Sequence, residues 1–91
     1  MIESDANYQK GAKAARRFLL HKQRTLEAGR TFRAEVVRKR LETRVQAHSD
    51  EYKAGFTDGL GAYVLATLEG MQVDLELWDI LRELVFPGEA E

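Results

Sequence analysis

The 91-residue chain has no cysteine and a single proline, Pro87. Without thiols it forms neither disulfides nor thiolate metal sites, which fits a reducing compartment. A chain of this length is near the lower limit for one self-sufficient core, so a second copy or a tightly held partner is the natural source of added stability. Long apolar runs are missing too. The least charged stretch, residues 54–68, holds Asp58 and three glycines and falls short of the roughly 20 apolar residues that cross a bilayer. The first seven residues are acidic and polar, where an export signal is basic and then apolar. A cytoplasmic protein with no membrane partner is therefore expected.

Strand patterns and low-complexity tracts are also absent, and good helix formers dominate. The chain is expected to be all-α, a hairpin or bundle of three to four helices forming one domain over residues 1–91, with 1–6 and 87–91 as flexible ends. The first helix, residues 5–28, carries Tyr8, Ala12, Ala15, Leu19 and Leu26 on one face and Lys10, Lys13, Arg17, His21 and Arg24 on the other. Past Gly29 the apolar stripe changes phase. Either a glycine C-cap followed by a new start at Thr31, or a kink in one long helix, accounts for it. The next stripe is Ala34, Val37, Leu41 and Val45, flanked by a basic ridge of Arg33, Arg40 and Arg44.

Ser49 or Asp50 suits the N-cap of a third helix, with Glu51 in its first turn. This helix has a seam of small residues, Gly55, Gly59, Ala62 and Ala66, flanked by Tyr52, Phe56 and Tyr63 on one side and Leu60, Val64 and Leu68 on the other. Glycine inside a helix costs about 1 kcal/mol relative to alanine, so two on one face imply the close approach of another helix. That helix belongs either to the same chain or to a second copy in a homodimer. A last helix is expected from Asp74 to about Phe86, with Val73, Leu77, Ile80, Leu81 and Leu84 as its core face and Trp78 at the edge, as a core residue or a partner anchor.

The net charge of −1 conceals a polarity. Residues 10–44 hold twelve Lys/Arg against Glu27, Glu35 and Glu42, while residues 45–91 hold Lys53 and Arg82 against ten acids. Either the two halves neutralise one another, or the basic one meets nucleic acid or an acidic partner.

Catalytic chemistry finds little support. His21 and His48, two serines and five threonines have no local nucleophile pattern around them. The two histidines lack acidic or histidine neighbours at metal-ligand spacing, and the glycines of 54–61 are not followed by the Lys-Ser or Lys-Thr of a phosphate loop. No enzyme activity, cofactor or metal is expected.

The segment Leu68-Glu69-Gly70, then Asp74 and a helix toward Gly88-Glu89, resembles the short helical antitoxins that hold Fic-type adenylyltransferases inactive. In that family a glutamate-glycine pair obstructs the nucleotide site, and a serine or threonine stands four residues ahead of the glutamate. Here that position is Leu65, and the likeness spans about a quarter of the chain.

The leading expectation is a non-enzymatic regulatory protein that binds and inhibits or modulates a larger protein, as a viral or mobile-element inhibitor of host machinery would. It is expected to be a homodimer that meets through the seam of Gly55, Gly59, Ala62 and Ala66, with Trp78 as a candidate partner anchor. The alternative is a small nucleic-acid-binding regulator using Lys10, Lys13, Arg17, Arg24, Arg33, Arg40 and Arg44.

Overall fold

Alanine, leucine and long charged side chains fill the first helix, α1 (Glu3–Glu27), and two shorter helices follow, α2 (Ala34–Val45) and α3 (Asp50–Leu68). The computed structural model of the protein describes residues 3–31, 33–46 and 48–84, and among these there is no strand. Because α1 starts at Glu3, it takes in most of the segment 1–6 expected to be a flexible end, whereas 87–91 lie outside the described residues.

Gly29 ends α1 and does not kink it. At φ +85° its N–H donates to the Leu26 carbonyl and the Arg30 N–H to that of Thr25, the paired bonds of a left-handed helix stop. Gly70, at φ +87°, closes α3 by the same pattern, with its N–H on the Thr67 carbonyl and the Met71 N–H on Ala66. Glu69-Gly70, the pair that resembles the antitoxin motif, is thus the exposed end of α3. At the other end Ser49 is the N-cap, its Oγ accepting the Tyr52 N–H at 3.2 Å. Thr31 does not start α2. The residue ahead of that helix is Arg33, whose side chain makes no capping bond.

The core forms where α1 and α3 press together. A Cβ built on Gly11 would collide with the carbonyl of Tyr52, and one on Gly55 with the carbonyl of Tyr8, so the backbones touch where both helices lack side chains. At Gly59 a Cβ would come within 2.9 Å of the Ala15 Cβ and 3.0 Å of the Ile80 Cδ1. The seam therefore faces α1 of the same chain at Gly55 and Gly59, Ala66 is buried, and Ala62 is half-buried. Around it are buried Tyr8, Ala12, Ala14, Ala15, Phe18 and Phe56. The Tyr8 hydroxyl donates to Asp58 Oδ2 at 2.5 Å. Burial, and then the Asp58 hydrogen bond and charge, push its phenol well above the usual range.

Over the described residues 74–84 the last expected helix is not there. After Gly70 the chain runs irregularly through a single turn at Asp74, whose carbonyl accepts the N–H groups of Leu77 and Trp78, to a short 3-10 turn at Ile80–Glu83. The cause is tertiary. Leu75 and Ile80 are each about 2 % exposed, and burying such side chains contributes roughly 1.5–3 kcal/mol apiece. Five residues apart on a helix they would point about 140° from one another, so only an irregular strap seats both on the α1–α3 pair. Of the expected core face, Ile80 is buried, Val73, Leu81 and Leu84 are half-buried, and Leu77 is 82 % exposed. The helix that the antitoxin resemblance implies from Asp74 is absent over the described residues for the same reason. Arg16 fastens the strap by donating to the carbonyls of Leu75, at 2.5 Å, and Glu76, at 3.4 Å.

Candidate anion-binding groove

Helix α2 stands apart. No residue of it is fully buried, and no Cα of it lies within 8 Å of one in α1. Val37, Leu41 and Val45 hold it against the core cluster of Ala14, Ala15, Phe18 and Phe56, leaving a gap between α1 and α2. The gap is a groove of about 680 Å³. Phe18, His21 and Lys22 line it from α1, and Val36, Lys39, Arg40, Thr43 and Arg44 from α2. The α2 residues fall at steps of three and four, which is one helix face.

The charges on the two walls are alike. Lys22 Nζ lies 5.4 Å and the Arg44 guanidinium carbon 5.8 Å from the centre of the Phe18 ring, so two cations share one aromatic. Desolvation, then the positive charges of Arg40 and Arg44, hold the Lys22 ammonium below its ordinary value. Among the described residues, no carboxylate lines this groove. Next to it a second hollow of about 630 Å³ shares His21, Lys22, Val36 and Arg40 and adds Arg30, Arg33 and Glu35, so the basic surface runs on past the start of α2. There Arg33 pairs with Glu35 at 3.6 Å. Cations gathered on facing walls repel one another, and an anion seated among them would relieve that repulsion.

Of the basic residues singled out from the sequence, Arg40 and Arg44 line the groove and Arg33 borders its extension. Lys10, Lys13 and Arg17 are exposed on α1 and line neither hollow, and Arg24 forms an ion pair with Glu76 at 2.9 Å. Sequence reasoning missed Phe18, Lys22 and Lys39. The signal was present in the spacing of Val36, Arg40 and Arg44 and of Phe18 and Lys22, each four apart, but which helix faces confront one another depends on the turn between them. Trp78 is half-buried in an edge-to-face contact with Tyr63, ring centres 6.2 Å apart, and its indole N–H is buried without a hydrogen-bond partner.

Among the described residues, no three of His, Cys, Asp and Glu are grouped to hold a metal ion, and no helix is long and apolar enough to cross a membrane. Comparison with known protein families, characterised proteins and solved structures gives no match. The arrangement of the side chains is therefore what a functional reading rests on.

Proposed function

We propose that this is a non-enzymatic helical regulator that binds nucleic acid through the groove between α1 and α2. The observation that carries the reading is the set of Lys22, Arg40 and Arg44 facing one another across a groove that, among the described residues, no acidic side chain lines. Lys and Arg neutralise the charge of a phosphate backbone, and the affinity falls with salt as counterions are released. Three phosphate contacts give a slope of log K on log salt of about −2 to −3. The test is fluorescence anisotropy with labelled oligonucleotides over a salt series. Reversing Arg40 and Arg44 to glutamate is expected to weaken binding at least tenfold and flatten that slope, since both side chains are exposed and their loss leaves the core intact. Binding that survives the reversal unchanged sinks this reading.

A second reading, a protein partner or a second copy of the chain, is favoured by a separate observation. Val64, Leu65, Leu68 and Met71 are exposed at the end of α3, Leu68 to 77 %. Leu77 adds to the exposed apolar surface on the strap. Clustered exposed leucines mark association surfaces in small proteins. In this reading the regulated target is a larger protein, and the acidic second half adds charge around the apolar contact.

A further inference from the structure

We infer that the groove is built for single-stranded nucleic acid, with a base seated on an aromatic platform formed by His48 and Tyr52 at the foot of α3. This rests on the nucleic-acid reading above and narrows it to one form of the ligand. The first support is shape. A helix reads a duplex by projecting into the major groove, a convex element entering a concave ligand. Here the cations do the reverse. Lys22 on one wall and Arg40 and Arg44 on the other face into a hollow, and about 680 Å³ lies within the range of pockets that take nucleotide-sized ligands. A duplex is too wide to enter it, whereas a single strand can lay its phosphates between the walls.

The second support is independent of charge. His48 is exposed and lies flat on Tyr52, ring centres 3.8 Å apart and planes 13° from parallel. The turn that carries it is held by the His48 N–H on the Val45 carbonyl at 3.1 Å, and by Ser49 capping α3. Along the chain His48 stands four residues after Arg44 of the groove wall, and in the buried core the platform and the groove share a row of rings. Tyr52 stacks near Phe56, Phe56 meets Phe18 edge to face, and Phe18 lies under Lys22 and Arg44. A basic groove with an exposed flat ring four residues beyond Arg44 of its wall is the combination by which proteins hold unpaired strands, since every base offers a π-face and a paired base does not. The partially buried Tyr52 supports His48 from beneath, and the outer face of His48 is the one a base meets.

The experiment uses the full chain and the His48→Ala variant, with labelled 12-nucleotide strands of DNA and of RNA, the matched duplexes, and a DNA strand carrying abasic sites. Single strands are expected to bind at least tenfold more tightly than duplexes at the same salt. Removing the bases, or His48, is expected to weaken binding by about tenfold, the usual worth of one stacked base. On the abasic strand His48→Ala should change nothing further. Duplex binding as tight as single-strand binding, or equal affinity for abasic and ordinary strands, overturns the inference while the charge-reversal result at Arg40 and Arg44 still stands. Absence of binding to every strand at low salt removes the nucleic-acid reading itself, and this inference with it.

Discussion

A methyl group added at Gly55 and one added at Gly61 sit on the same helix six residues apart and have opposite consequences. At Gly55 the new carbon runs into the backbone carbonyl of Tyr8, which belongs to a helix and has no rotamer with which to move away. At Gly61 nothing lies within 4 Å. Gly55→Ala is therefore expected to destabilise the protein by about 2–3 kcal/mol, the upper range for overpacking a tight contact. Gly61→Ala is expected to stabilise it by about 0.5–1 kcal/mol, because alanine loses less backbone freedom in a helix. Urea midpoints on the two variants check both signs, and a neutral Gly55→Ala would mean that the two helices do not meet there. At this scale the sequence was informative on one side only. The spacing of Gly55 and Gly59 signalled a close neighbour, but Gly11 is alone in α1, and without a repeat nothing marked it as the other half of the contact.

The three helices were legible because each carries an apolar stripe with a stop or cap beside it. Val37, Leu41 and Val45 do pack on the core, and Ser49 does cap α3. Whether Gly29 ended or bent a helix was not legible, since a phase change in the stripe is the same in both cases and only the backbone bonds decide. The strap failed for a different reason. Asp74 and the leucines after it satisfy the local pattern of a helix, yet Leu75 and Ile80 gain more from reaching a common surface than from a regular ladder. Helix α2 is legible as a helix but not as a loosely held one. It has no fully buried residue and meets α1 only through side chains, so its amides open at lower free energy than those of α1 and α3. Hydrogen exchange followed by mass spectrometry is expected to show α2 exchanging at least tenfold faster than the Tyr8–Phe18 stretch of α1. A bound single strand is expected to slow α2 selectively. Equal protection across all three helices would show that α2 is part of the cooperative core.

At the scale of the molecule, the basic stretch of the sequence supplies both walls of the groove. Among the described residues Arg24–Glu76 is the one ion pair joining the basic stretch 10–44 to the acidic stretch 45–91, and both its side chains are about 60 % exposed. A pair that exposed contributes little. The same geometry bears on assembly. Gly55 and Gly59 are occupied by α1, so a dimer has to form elsewhere, and the apolar residues turned away from α1 are Val64, Leu65 and Leu68, with Met71 beyond them. An interface of that composition is held by burial of apolar surface, which salt does not screen, whereas docking of one copy's basic groove on another's acidic half would weaken within the Debye length. We expect light scattering to give twice the 10.4 kDa chain mass at both low and high salt, and the chain mass for the double variant Leu65→Ser, Leu68→Ser. Both side chains are exposed in the single chain, so the double variant should still fold, which circular dichroism checks. A dimer that dissolves on adding salt would place the contact on the charged surfaces, where single strands would compete with the second copy for the same groove, and a dimer that survives the two serines would place it away from this apolar patch.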